Sequence, residues 1–185
     1  MNNIDAKKAS LGYLQETILK ASSIDTPIGA MLAVGDDEVL YFLQFLDHAE
    51  LKRDLEKLQL RKKATIIDGV SAALNSVKKE LHDYFSGKFT HFSTPLQPFG
   101  TPFQQRVWAE LRRVPYGESK SYAAEAAAIG RPSAFRAVAN ANGANPISII
   151  IPCHRIINTN GKMGGYGGGL SRKKWLLEHE KRFSI

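Results

Sequence analysis

The chain has 185 residues, 43% of them hydrophobic and 23% charged, with a single cysteine. That length allows one domain or two small ones, and the composition excludes a disordered chain. One cysteine excludes an internal disulfide and any zinc site built from several thiolates. No apolar run approaches the roughly 18 residues of a membrane span. The opening MNNIDAKKAS lacks the apolar core of a secretory signal. A cytoplasmic protein with a free thiol is therefore expected. The net charge of +7 is unevenly placed: residues 1–100 carry 12 basic and 13 acidic side chains, residues 101–185 carry 13 and 5. A basic half beside a neutral one points to a polyanionic partner, although a basic solvated surface gives the same count.

In chain order, residues 11–20 read either as a short helix or as a disordered lead-in. From Ile24 to Leu46 the pattern predicts two or three strands, with turns at Thr26-Pro27-Ile28-Gly29 and Gly35-Asp36-Asp37. Residues 49–60 repeat leucine at helical spacing between charges. Residues 69–86 place Val70, Leu74, Val77, Leu81 and Phe85 on one helix face, and Gly87 ends it. The stretch 92–100, with two prolines and a glycine, marks an irregular connection and a boundary between domains 1–95 and 96–185; the charge changes at the same place. Pro102 then starts a helix with Phe103, Val107, Leu111 and Val114 inward, closed by Pro115-Tyr116-Gly117.

Ser121 can cap the alanine-rich helix SYAAEAAAI, which Gly130 ends. After the turn Arg131-Pro132-Ser133, a second helix, AFRAVANAN, runs to Gly143. Two short helices joined this way suit a helix-turn-helix, and equally a hairpin used only for packing.

Residues 147–151, ISIII, carry a buried-strand pattern that ends at Pro152-Cys153-His154-Arg155. Most lone cysteines are inert core residues. Here a histidine, an arginine and a following glycine-rich loop favour an activated thiol of lowered pKa. Neighbours on an extended strand face opposite ways, so contact between Cys153 and His154 needs a bridging water or a local turn. The run Gly164-Gly165-Tyr166-Gly167-Gly168-Gly169 leads into a helix over 171–181. It fails the dinucleotide spacing and lacks the Lys-Ser or Lys-Thr of a P-loop, so no nucleotide cofactor is expected. Its glycines still allow close backbone approach to a flat ligand. Trp175, Leu176 and His179 are expected to pack inward, and Glu180 reaches a histidine only if the fold brings it there.

The blocks IPCHRII, SYAAEAAAIG, RAVANANGANP and GGYGGGLSRKKWLLEHE resemble the O6-alkylguanine-DNA alkyltransferases closely over residues 99–185. A weaker likeness, TPIGAMLAV…DEVLYFLQF, extends over residues 22–90. The resemblance implies an N-terminal ribonuclease-H-like α/β domain and a mainly α C-terminal domain with a winged helix-turn-helix. It implies a monomer that needs no cofactor and no membrane. Such a protein binds double-stranded DNA through the minor groove, flips the damaged base out, and moves its alkyl group irreversibly to a cysteine. The substrates implied are O6-alkylguanine and O4-alkylthymine.

By the same resemblance Cys153 is the nucleophile, His154 the base acting through a water, and Glu180 the carboxylate orienting it. Tyr122 assists the departing guanine, and Arg136 fills the gap the base leaves. Asn145 is a buried hinge. Tyr166 and Gly167 belong to the loop over the base, Ala134 and Ser121 to the DNA-contacting set, and Arg155 is structural. Many relatives carry serine at the position of Gly167, so a hydroxyl contact is absent here. Some relatives bind zinc through N-terminal cysteines, which this chain lacks. Two rivals remain at this point: a DNA-binding regulator with a silent cysteine, and a cysteine hydrolase acting on a small molecule.

Overall fold

A computed structural model describes residues 17–88 and 91–184. The N-terminal half is a four-stranded sheet of β1 (Thr17–Ile24), β2 (Met31–Gly35), β3 (Leu40–Phe45) and β4 (Ala64–Asp68), in the order β3-β2-β1-β4. β1 and β2 pair antiparallel, as do β2 and β3, while β4 runs parallel to β1. Helices α1 (Leu51–Lys62) and α2 (Ala72–Phe85) cover its two faces.

The alternation along the strands decides which face each residue serves. Val34 and Phe42 join Leu19 and Leu58 under α1, while Ala33 and Leu43 join Leu74, Val77 and Leu81 under α2. Residues 17–20 are thus strand, neither helix nor lead-in; residues 11–16 lie outside the described residues. All four pair with β4, and Lys20 pairs with Gly35 of β2 as well, which outweighs their weak local preference. β4 went unpredicted although its ATIID is β-branched, because five residues between two helices give little periodicity. α2 begins only after Ser71, whose hydroxyl accepts from Leu74 N, and Val70 is left exposed.

The C-terminal half is mainly helical: α3 (Pro102–Leu111), α4 (Tyr122–Ala128), α5 (Phe135–Gly143) and α6 (Leu170–Phe183), with the two-residue strands β5 (Lys120–Ser121) and β6 (Ile156–Ile157) paired in parallel. Thr101 and Gln104 form a reciprocal capping box at α3, with Pro102 in its first turn. Gly130, at φ +73°, ends α4 by letting Arg131 N donate back to Ala126 O at 2.9 Å.

The change in charge near residue 100 does not divide the core. One apolar cluster runs from Leu43, Phe45 and Leu81 to Trp108, Val138, Ile151 and Leu176. Backbone bonds reinforce it: Leu43 N donates to Pro146 O (2.9 Å), and Ser148 N donates to Leu43 O (2.8 Å).

Residues 147–151 are buried but do not form the expected strand. Only Ile147 bridges β3. Ile149 then takes φ +71°, and Ile150 N closes a tight turn onto Ser148 O at 2.9 Å. A second tight turn, Cys153 N to Ile151 O at 2.8 Å, follows at once. A β-branched residue at positive φ costs on the order of 1–3 kcal/mol and persists only where its surroundings over-determine it.

The connection at residues 93–94 is tied down by the buried Glu80 carboxylate. It accepts from Ser93 N (2.8 Å), Ser93 Oγ (2.6 Å), Thr94 N (3.1 Å) and Thr94 Oγ1 (2.7 Å). Glu80→Ala strands these donors and is expected to cost about 2–3 kcal/mol. A urea titration should show a lower midpoint with an unchanged slope.

Candidate active site

Asn145 organises the turn that presents the cysteine. Its Oδ1 accepts from Ile147 N (3.0 Å), while its Nδ2 donates to Ile151 O (2.8 Å) and to Cys153 Sγ (3.3 Å). The sheet holds Asn145 in turn: Gln44 of β3 donates to Asn145 O and accepts from Ser148 Oγ at 2.7 Å. Cys153-His154-Arg155 form one turn of 3₁₀ helix, so the local turn that contact between Cys153 and His154 required is present.

Beneath that turn lies a buried charged cluster. Glu180 of α6 is fully buried. It accepts from Arg155 Nε (2.8 Å) and Nη2 (3.0 Å), Tyr84 Oη (2.8 Å) and Gly117 N (3.2 Å), and its Oε1 lies 2.7 Å from His154 Nε2. Arg155 also donates to Val114 O. Burial alone would raise the Glu180 pKa, but His154 and Arg155 outweigh it and hold the carboxyl well below the usual range. Burial lowers the His154 pKa; Glu180 opposes the fall, and Arg155 and Lys173 add to it.

These directions set the tautomer. Glu180, paired with Arg155, is ionised and can only accept, so His154 is a neutral imidazole donating from Nε2. Its Nδ1 keeps a lone pair, and that atom is buried without a hydrogen-bond partner among the described residues.

The thiol departs from expectation. Burial pushes Cys153 up to about 11, against the Asn145 hydrogen bond and the positive charge of Lys173. It rests protonated, because desolvating a thiolate outweighs one amide donor and one cation.

Cys153 lines a cavity of about 290 Å³ with Tyr122, Asn142, Gly165, Tyr166 and Gly167. Tyr122 points its hydroxyl to Gly165 O at 3.4 Å, and burial, then the Cys153 charge, raise its pKa. The glycine loop fits only as glycine at key points: a Cβ on Gly164 would stand 2.6 Å from the Tyr122 ring, and one on Gly168 2.6 Å from Tyr166. Gly167 has room for a side chain, its nearest neighbour being His48 at 3.5 Å. A second, more open cavity of about 630 Å³ shares Tyr122 and Gly165 and is lined by the exposed Arg136. Ser121 caps α4 through Ala124 N (3.1 Å), and Ala134 is the residue before α5. Both lie away from the cysteine's own cavity.

Several site residues gave no signal in the sequence. Lys173 is fully buried, its Nζ donating to Ile156 O (2.5 Å), Gly164 O (3.2 Å) and Gly165 O (3.2 Å), yet it stands among the ordinary-looking Arg172 and Lys174. Arg172 forms a fork onto Asp47 with both distances 2.9 Å, and donates to Gly168 O at 3.0 Å. His48 Nδ1 lies 3.2 Å from Gly167 O, so the sheet also braces the glycine loop. Helical spacing from Leu81 does mark Tyr84 as inward, but not its bond to Glu180. Trp175, Leu176 and His179 pack inward as expected, with Trp175 stacked on His179 at 4.7 Å.

The α/β half and the mainly helical half together carry a cysteine whose sequence neighbour, His154, is paired with the buried Glu180. Residues 19–98 match the ribonuclease-like domain of the 6-O-methylguanine DNA methyltransferases, and residues 102–182 match their DNA binding domain. The chain belongs to the 6-O-methylguanine DNA methyltransferase family. It is 43% identical over 159 residues to the methylated-DNA–protein-cysteine methyltransferase of Mycobacterium tuberculosis, covering 86% of this chain and 90% of that protein. The crystal structure of the M. tuberculosis O6-methylguanine methyltransferase superposes with a TM-score of 0.77 at 42% identity, covering 90% of this chain and 95% of that one. The M. tuberculosis protein in complex with DNA gives 0.76 at 42%, covering 91% and 95%.

Glu180 titrates below its unfolded value, so its contribution to stability is fully present above about pH 4.5 and is lost as pH falls through the folded value. Glu180→Gln is expected to cost about 3–5 kcal/mol at neutral pH, as loss of one partner in a buried ionic cluster does. Thermal melts from pH 7 to 2 should show the gap to the parent narrowing only below pH 4.5.

Proposed function

We propose that this chain is a methylated-DNA–protein-cysteine methyltransferase that repairs O6-alkylguanine in DNA by transferring the alkyl group to Cys153. The observation that carries this reading is the buried relay: Glu180 fixes His154 through Nε2, and the free Nδ1 lone pair belongs to the residue next to the only cysteine, which opens on a cavity.

The transfer forms a bond from Sγ to the alkyl carbon as the carbon–O6 bond breaks. The thiol proton passes through a water to His154 Nδ1, and the imidazolium so formed is stabilised by Glu180. Forming the thiolate only at the moment of transfer suits a thiol with a pKa near 11. Tyr122, whose raised pKa keeps its proton in place, donates to the departing guanine. The imidazolium proton then restores the tyrosine, so the balance is thiol plus alkylguanine to thioether plus guanine. A thioether has no leaving group comparable to a purine, so each molecule reacts once. O4-alkylthymine presents the same alkoxy carbon on a smaller ring.

Reaching the cysteine requires the base to leave the duplex. In this reading α4 and α5 are the helix pair of a winged helix-turn-helix set in the minor groove, and Arg136 enters the stack in place of the flipped base. Ser121 and Ala134, at the starts of the two helices, approach the backbone. Tyr166 and the Gly167 backbone close over the base, Asn145 is the hinge between α5 and the active turn, and Arg155 is structural. A monomer acting in the cytoplasm suffices for this chemistry. The basic surplus of residues 101–185 supports binding through phosphates, which carries no sequence code and suits a lesion found in any context.

Incubation with duplex DNA containing O6-methylguanine is expected to add one methyl per chain, mapped to Cys153 by peptide mass spectrometry. Cys153→Ser should abolish transfer and leave DNA affinity nearly unchanged, and Tyr122→Phe should slow transfer about a hundredfold. An unmodified protein beside intact lesions would reject the assignment.

A further inference from the structure

Glu125 plays no part in the relay, yet its environment is unusual. It is fully buried on α4, one helical turn beyond Tyr122. Its Oε2 accepts from Asn142 Nδ2 of α5 at 2.8 Å. Asn142 in turn lines the cavity that holds Cys153. Two other oxygens of the same pair, Glu125 Oε1 and Asn142 Oδ1, are buried with no hydrogen-bond partner among the described residues. Both are acceptors while the carboxyl is ionised, so neither can satisfy the other. A single proton on Oε1 turns it into a donor, and a carboxylic acid facing a primary amide then bonds in both directions. A proton on Oε1 donated to Asn142 Oδ1 would remove two buried orphan atoms together, each of which otherwise carries a desolvation penalty.

We propose that Glu125 acts in its protonated form as a positioning residue, its carboxyl paired both ways with the Asn142 carboxamide so that α4, carrying Tyr122, is pinned to α5 at the wall of the active cavity. This deepens the alkyl-transfer reading of the same site and rests on it for its kinetic part.

The surroundings agree. Burial raises the Glu125 carboxyl to about 7, opposed by the Asn142 bond and the charge of Lys120, and supported by Glu110. Lys120, on β5, is hydrogen-bonded to Glu110 of α3 at 2.8 Å rather than to Glu125. Across the cavity, negative charge on Glu125 raises the pKa values of both Cys153 and Tyr122. Ionised Glu125 therefore does two things. It breaks one direction of the pair, and it opposes formation of the thiolate.

The sign of the stability effect follows from linkage. The folded carboxyl titrates above its unfolded value, so the folded state holds the extra proton between about pH 4.5 and 7, and stability falls with rising pH across that window. Glutamine at this position reproduces the neutral acid, donating from its amide nitrogen and accepting at its oxygen, and cannot ionise.

The test compares Glu125→Gln with the parent from pH 5.5 to 8.5. Single-turnover methyl transfer from duplex O6-methylguanine, at saturating DNA, should be equal at the acid end. Towards pH 8.5 the variant should become about tenfold faster, the order a buried unit charge exerts on a nearby ionisation at an effective dielectric constant of about 20. The variant's lead in Tm over the parent should widen by about 5 °C between pH 5.5 and pH 8. Glu125→Ala, which removes the pair, should be less stable than the glutamine variant throughout. A glutamine variant whose rate and Tm ratios to the parent stay flat with pH would overturn the proposal, since a purely structural side chain behaves that way. If the parent transfers no methyl group at all, the alkyl-transfer reading fails, and the Tm comparison still decides whether the pair holds a proton.

Discussion

The buried carboxylate of Glu180 is the constraint on which the site depends. A charge with no access to water must collect its compensation from the protein, and Glu180 does so from four directions: Arg155 and His154 on the active turn, Tyr84 from α2, and the Gly117 backbone after α3. Satisfying it brings the two halves of the chain together and fixes the imidazole tautomer in one step. The chemical asset, a free lone pair on His154 Nδ1, is a by-product of that electrostatic necessity.

A second constraint acts on the other side of the cysteine. The backbone between α5 and Cys153 makes two tight turns in succession, one of them through an isoleucine at positive φ. Local preference opposes this path. It holds because Asn145 bonds to three points around it and because Gln44 and Ser148 clamp it to β3. The sheet supplies the clamp on Asn145 and, through Asp47 and His48, the brace on the glycine loop. The continuous apolar core between the halves is the packing counterpart of those polar ties.

The resting thiol illustrates how burial and reactivity are balanced. A sulfur kept dry is protected from casual oxidation and alkylation, at the cost of a high pKa. Reactivity then waits on a geometry in which the proton has somewhere to go and the substrate carbon is already present. In the single transfer proposed for Cys153, that arrangement limits unproductive loss.

The sequence alone determined the helices α1, α3, α4 and α5 and the turns at Gly35 and Gly130, because periodicity, capping residues and turn residues are local. The contacts of Glu180 with His154 and of Asn145 with Cys153 were legible only through likeness to a family, since the partners stand 26 and 8 residues apart. Tertiary structure alone decided the rest. It made residues 17–20 a strand through pairing with β4, and it bent ISIII into turns through the Asn145 clamp. It buried Lys173 while leaving its basic neighbours in solvent, and it raised the thiol pKa where adjacent basic residues suggested a fall. Each of these is set by which groups the fold removes from water, and desolvation is a property of the packed chain that no stretch of residues carries by itself.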